Sequence, residues 1–441
     1  MSHSNHAVRA NQQQPYLPVG NYRSYLTLLA DNKRFRKLWL AGVISHLGNW
    51  FNYIAIFVLL NQITGTGHAV SWFLIAKFIP STILGPAAGV LTDRLPRKTL
   101  MIASDLLRAG VVLCFLLVKR PDQVWMVYTL ALLQESLWTF FDPARRASIP
   151  NLCQPHELNV ANALGGATWS VMLAIGAAMG GLISAIAGWQ TAIIIDACTF
   201  LVSAWLLTGL TLPSPPQKKQ GKLTWREYTG LADLKEGCSY VLANRQIGAL
   251  LLVKSGWALS GGIFVLLTIF GEQVFPIHGH GGGSGILYSF RGIGAAIGPI
   301  LAWRYLGESR HAMHRSIGLS FFVACASYLV FSQAPTILEA APMVLLGHMG
   351  GSVQWVFSTN LLQREVPDRF RGRVFAAEMA LLTLVLSVST YVTGAALDAG
   401  VGPRTAMIRL ALIFLVPGIL WTIYIKFSPN TKNKGPKEEE Q

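Results

Sequence analysis

Gly85-Pro-Ala-Ala-Gly89-Val-Leu91-Thr-Asp93-Arg94-Leu-Pro96-Arg97-Lys98 is the stretch from which the rest of the chain can be read. An apolar segment from about Ala69 runs into it, and another begins at Thr99. The turn between them carries one acid and three bases, Asp93, Arg94, Arg97 and Lys98. Two apolar spans joined by a short basic turn describe a membrane hairpin with a cytoplasmic loop, because Lys and Arg are retained on that side. The small residues Gly85, Ala87, Ala88 and Gly89 let a neighbouring helix approach closely.

The composition agrees. Of 441 residues, 52% are hydrophobic and 13% charged, against about 25% charged in a soluble protein. The chain therefore reads as an all-α integral membrane protein. Its formal charge of +15 sits in short clusters between apolar spans, which fits cytoplasmic retention and argues against a nucleic-acid partner. Five cysteines lie scattered without a CxxC pair, so neither structural zinc nor a disulfide framework is expected. The first residues, Met1 to Tyr22, are polar and rich in Gln. They read as a cytoplasmic tail and not as a signal peptide.

With about 20 apolar residues needed per crossing, twelve spans are predicted. Six fall near Leu38–Leu60, Ala69–Thr92, Thr99–Val118, Val124–Phe141, Ala161–Ala187 and Thr191–Leu212. Six more fall near Ile247–Phe275, Ser284–Leu306, Met313–Ser332, Leu338–Leu362, Val374–Leu397 and Thr405–Phe427. The expected organisation is a tail (1–36), a six-helix half (37–212), a cytoplasmic linker (213–246), a second six-helix half (247–427) and a C-terminal tail (428–441). Alternate loops hold the bases, among them Lys33, Arg34, Arg36 and Lys37, then Arg145 and Arg146, then Lys218, Lys219, Lys222 and Arg226. Later loops of the same set carry Arg310, Arg315, Arg364 and Arg369. By the positive-inside rule both termini are cytoplasmic.

The halves resemble each other. Gly85-Pro86 returns as Gly298-Pro299 at an offset of 213, Lys77 as Arg291 at 214, Pro150 as Pro367 at 217, and His46-Leu-Gly48 as Lys254-Ser-Gly256 at 208. Two such halves enclose a site near the bilayer midplane.

The hairpin also resembles the signature of the major facilitator superfamily, in which a Gly-x-Leu-x-Asp-Arg-x-Gly-Arg-Lys loop joins the second and third helices. Gly89, Leu91, Asp93, Arg94, Arg97 and Lys98 match it, and Pro96 replaces the usual Gly. Phe141-Asp-Pro143-Ala-Arg145-Arg-Ala147-Ser-Ile-Pro150-Asn-Leu, followed by Glu157-Leu-Asn-Val-Ala-Asn162, is similar to the loop between helices four and five in one branch of that superfamily. The branch contains macrolide-efflux pumps and the enterobactin exporter. The resemblance implies the twelve-helix fold with two pseudo-symmetric halves, an exporter's activity and a bacterial inner-membrane location. It also implies that Asp93 and its neighbours form a cytoplasmic gate.

Ionisable groups within the spans are functional candidates, because each costs about 2.5–3.5 kcal/mol at a helix centre on insertion scales. Asp105 and Arg108, three apart on one helix face, could extend the gate inward or form a local ion pair. Glu135 lies mid-span between Gln134 and Ser136 and is the expected proton-coupling group, because a carboxylate in an apolar span can exchange protons near neutral pH; a hydrogen-bonded structural acid is the competing reading. Lys77 and Arg291 could line the outward cavity and attract an anionic substrate or a partner acid, or snorkel towards the periplasmic interface. His46 with Asn49 and Asn52 gives the first helix a polar face, and Lys254 matches His46 in the second half. These four are also assigned to the cavity. Asp196 and Glu378 are lone acids, with packing or an ion pair as the competing reading.

The function expected is secondary active export of a small amphipathic drug-like molecule or siderophore in exchange for protons. The protein is expected to be a monomer in a lipid bilayer without cofactor or metal. A lipid or lysophospholipid flippase on the same fold is the nearest alternative, and a non-transporting scaffold or signalling protein the alternative of another class. No GxxxxGK[ST] occurs, so ATP hydrolysis is not indicated. No nucleophile–base set marks an enzyme.

Overall fold

A computed structural model describes residues 22–212, 231–277, 280–307 and 309–427. Residues 1–21 of the N-terminal tail, the C-terminal tail, the linker bases Lys218, Lys219, Lys222 and Arg226, and the side chain of Asp93 lie outside the described residues. The rest of the expected N-terminal tail is helical, over Tyr22–Asp31 and again from Lys33. Twelve long helices account for most of what is described. In the first half they are α1 (Lys33–Ile63), α2 (Gly67–Arg94), α3 (Arg97–Leu117), α4 (Val124–Leu152), α5 (Leu158–Ala187) and α6 (Trp189–Thr208). In the second they are α7 (Arg245–Val274), α8 (Gly282–Leu306), α9 (Arg310–Gln333), α10 (Ile337–Glu365), α11 (Asp368–Asp398) and α12 (Pro403–Phe427). Ten are both long and apolar enough to cross a membrane. The other two, α4 and α10, are as long, at 29 residues each, but more polar.

Local chemistry fixes where helices begin. The side chain of Asn32 accepts from Phe35 N at 2.9 Å and caps α1. Thr66 caps α2 through Ala69 N, and Ser309 caps α9 through Ala312 N. The branch-specific motif expected in a loop is helical instead: α4 continues to Leu152, through Pro143 and Pro150. Asp142 stabilises that extension by accepting from Arg145 and Arg146, one turn further on, at 2.9 and 2.7 Å. The loop proper is reduced to residues 153–157. Asn32 spans it, donating to Leu152 O and Glu157 Oε2.

Within each half the helices pack closely, and between halves the main seams are α2 with α11 and α5 with α8. Both seams run antiparallel, and both separate towards the end of the molecule that carries the basic turns. On the α2–α11 seam, Gly67 N donates to Asp398 Oδ1 at 2.8 Å, Ser71 Oγ to Thr390 O at 2.9 Å, and Thr82 Oγ1 to Thr383 Oγ1 at 2.8 Å. Beyond Thr82, a side chain built at Gly85 or Gly89 would meet nothing within 4 Å. On the α5–α8 seam the backbones touch, since a Cβ at Gly181 would lie 2.8 Å from Gly285 Cα. Further along α5, Gly165 and Gly166 face open space. Among the described residues, the halves meet at the end opposite the basic turns and stand apart at the basic end.

Candidate functional site

A cavity of about 230 Å³ lies between the halves, below the closed end. From the first half, α1 contributes His46, Asn49, Trp50 and Tyr53, α2 Lys77 and Phe78, α4 Glu135 and Trp138, and α5 Trp169. From the second, α7 contributes Phe264 and α8 Arg291. Its roof is aromatic. Tyr53 packs against Phe57, Phe73 and Tyr288 with ring centroids 4.8, 5.6 and 5.9 Å away, tying α1 and α2 to α8. Aromatic pairs of this geometry add to the burial of their surfaces.

The charged groups in the wall are arranged unequally. Lys77 Nζ sits 3.0 Å from Glu135 Oε2, with the two side chains 10% and 16% exposed. Glu135 is therefore a paired carboxylate within the span. Arg291 donates from Nε to His348 Nε2 at 2.8 Å, and its guanidinium lies 4.4 Å from the centre of the Phe264 ring. His348 Nδ1 is in turn 2.6 Å from Tyr328 Oη. His46 stands edge-on to Trp138 at 4.8 Å, and Asn49 accepts from Gln134 at 3.4 Å.

Two other residues assigned to the cavity sit elsewhere. Asn52 is fully buried in the packing of α1, and among the described residues neither of its side-chain polar atoms has a hydrogen-bond partner. Lys254 is buried within the second half. It is paired with Glu378 Oε2 at 2.8 Å and stacked 4.7 Å over Trp355. A buried ammonium needs its acid close by, and Glu378, one of the lone acids of the sequence, supplies it.

The expected gate residues fall into two groups. Gly89 and Arg94 are exposed at the basic end of α2. Arg97 donates to Ala147 O at 2.6 Å and Asn151 Oδ1 at 2.7 Å, and Lys98 donates to Thr208 O at 2.6 Å. Both bases tie helices within the first half together in this open state. Asp105 and Arg108 lie in the core of that half as a fully buried ion pair. Ser203 donates to Asp105 at 2.7 Å, and the guanidinium lies 4.2 Å from the centre of the Phe200 ring. Of the α4–α5 motif, Arg145 packs against Gly42, its Cδ 3.4 Å from where a Cβ there would stand, while Pro150 and Asn162 are exposed and Pro143 is partly buried.

Sequence reasoning missed His348 and Tyr328 behind Arg291, the aromatic residues Tyr53 and Phe264, and Asp398 at the closed end. His348 had a signal. It follows Glu135 by 213 residues (348 less 135), nearly the offset that relates Lys77 to Arg291.

Two six-helix halves around a central charged cavity, sealed at one end and open at the other, define a membrane transporter. The family model of the Major Facilitator Superfamily matches residues 38–390, and the chain belongs to that superfamily. It is similar to macrolide efflux protein A of Streptococcus pyogenes, 24% identical over 363 residues that cover 80% of this chain and 87% of that one. It is likewise similar to the putative bacilysin exporter BacE of Bacillus amyloliquefaciens, 23% identical over 420 residues, 94% and 98% of the two chains. Among solved structures, the fold matches the nucleoside transporter NupG with a TM-score of 0.68 at 12% identity, over 89% of this chain and all of that one. It matches a bacterial homolog of the human lysosomal transporter Spinster, in an inward-facing and unoccupied conformation, at 0.67 and 13%, over 90% and 99%.

Proposed function

We propose that the protein is a proton-driven exporter of the bacterial inner membrane, moving a small amphipathic molecule out of the cytoplasm by alternating access. The observation that carries this reading is the Lys77–Glu135 pair in the wall of a cavity between the halves. The efflux proteins among its relatives support the direction. The positive-inside rule places the basic end, where the cavity opens, in the cytoplasm. The state seen is then the one that accepts cargo.

In this state Glu135 is held by Lys77 at 3.0 Å. After the halves rock to face the other side, a proton on Glu135 removes one charge of the pair and frees the ammonium. The two protonation states thereby favour different arrangements of α2 and α4, and a ligand or proton shifts such an equilibrium by its differential affinity. The aromatic walls from Trp50, Trp138 and Trp169 suit a molecule with an apolar body.

The test is uptake into inside-out vesicles of a macrolide, a cationic dye, a catecholate siderophore and a fluorescent lysophospholipid, with and without an imposed pH gradient. Gradient-dependent accumulation of a drug or the siderophore is expected. Movement of the lysophospholipid alone, indifferent to the gradient, would replace the exporter by a flippase.

A further inference from the structure

The internal repeat relates two contacts and not merely two residues. Lys77 on α2 meets Glu135 on α4, and Arg291 on α8 meets His348 on α10. The cations are related by an offset of 214 (291 less 77) and their partners by one of 213 (348 less 135). The same helix pair in each half thus places a base against a partner at the same level. In the first half the partner is an acid. In the second it is an imidazole.

That imidazole is neutral in this arrangement. Its Nε2 accepts from Arg291 Nε and so carries no proton, which leaves the proton on Nδ1, facing Tyr328 Oη at 2.6 Å. His348 therefore orients the guanidinium without balancing its charge. Among the described residues no carboxylate forms an ion pair with Arg291, and its two terminal nitrogens have no hydrogen-bond partner. The residue is only partly buried, because it borders the cavity. Phe264 and Tyr288 cover the guanidinium plane, at 4.4 and 5.5 Å from their ring centres. The planar fork is left with its edge free, which is the geometry that binds a carboxylate or phosphate through two parallel hydrogen bonds. Glu135 is already held by Lys77, so the wall retains one uncompensated positive charge.

We infer that Arg291 is an anion subsite, and that the molecule carried has a carboxylate or phosphate joined to an apolar, ring-sized body. The anion replaces the acid that the second half lacks, while the body lies against Trp50 and Trp169. The inference rests on reading this cavity as the transport site. It requires neither a direction of transport nor proton coupling.

The experiment is equilibrium binding to the full-length protein in detergent, read by quenching of the cavity tryptophans. The probes are 2-naphthoate, the neutral 2-naphthylmethanol and the cationic 2-naphthylmethylamine, which share one ring body. Wild type should prefer the carboxylate over both by about tenfold or more, as a charge-assisted bidentate contact provides. Arg291→Gln should abolish the preference and Arg291→Lys should keep part of it. His348→Glu, which installs the acid of the first half beside Arg291, should abolish it while leaving the guanidinium in place. A preference that survives in both Arg291→Gln and His348→Glu, or a wild type that binds the cationic probe as well as the carboxylate, overturns the proposal. Competition separates the sources of the anion: displacement of naphthoate by lysophosphatidylglycerol, but not by lysophosphatidylcholine, identifies a lipid headgroup, and failure of both identifies a soluble acid. Because no gradient is applied, carboxylate binding without export would fault the exporter reading alone.

Discussion

Replacing Asp398 should loosen the closed end of the molecule. Its carboxylate, at the end of α11, accepts from Gly67 N at 2.8 Å and His68 N at 3.1 Å, the first two donors of α2, and lies 3.1 Å from His68 Nδ1. One half of the protein thereby caps a helix of the other, and the negative charge meets the positive end of the helix dipole. Such an interaction is worth about 1 kcal/mol, the middle of the range for charges at helix termini, because the Asp398 and His68 side chains are 28% and 37% exposed and water screens them. The contact exists only while the halves meet, so its loss acts on the equilibrium between closed and open forms. Asp398→Asn should shift that equilibrium by about fivefold towards opening at this end. Asp398→Ala should shift it further, since both helical donors then lose their acceptor. Spin labels at Gln62 and Gly402, in a cysteine-depleted protein, would report the change as a growing long-distance population in pulsed dipolar spectra. If the distribution in Asp398→Ala matches that of the parent, side-chain packing along α2 and α11 holds this end shut and the cap is incidental.

Other substitutions separate structural charges from functional ones. Lys254→Met should destabilise the protein by about 3–5 kcal/mol, because it strands Glu378 in a buried site; a melting curve in detergent reads this, and the double variant Lys254→Met/Glu378→Leu should recover most of the loss. Gly285→Val should keep the protein folded but hold the closed end apart, since a Cβ there would lie 2.8 Å from Gly181 Cα and 2.9 Å from Ala177 O; the same spin-label pair would show it. Arg97→Gln removes the bonds to Ala147 O and Asn151 Oδ1, and should speed amide hydrogen exchange at the basic end of α4 without altering ligand binding in the cavity.

Much of this architecture follows from patterns that survive in one dimension. The apolar spans, the basic alternate loops and the repeat of Gly85-Pro86 as Gly298-Pro299 are local or periodic, so they give twelve helices and two halves without knowledge of packing. The site was only partly legible. His46, Lys77, Glu135 and Arg291 stand out because charge or imidazole is rare in a span, and all four border the cavity. Rarity does not tell a cavity charge from one neutralised in the core, however. Lys254 and Arg108 look the same in sequence, yet each is buried against an acid. Those pairings join residues 124 apart for Lys254 and Glu378 but 3 apart for Asp105 and Arg108, and only the second spacing is visible in a helical pattern. The extension of α4 through Pro143 was hidden for a related reason: prolines and charges read as a loop until Asp142 is seen to bridge Arg145 and Arg146 along one face. Tyr53 and Phe264 carry no signal at all, since an aromatic residue in a span has many possible neighbours.

The central claim is that the carboxylate paired with Lys77 carries the exchanged proton, and one comparison addresses it directly. Wild-type protein and Glu135→Gln would be reconstituted in proteoliposomes, using whichever compound of the vesicle panel the wild type accumulates. Each would be assayed for accumulation driven by a pH gradient and for counterflow without one. Counterflow needs only a cavity that alternates, whereas accumulation against a gradient needs the proton. The account predicts that Glu135→Gln retains counterflow and loses gradient-driven accumulation. Accumulation that persists in Glu135→Gln with an unchanged dependence on the gradient would contradict it.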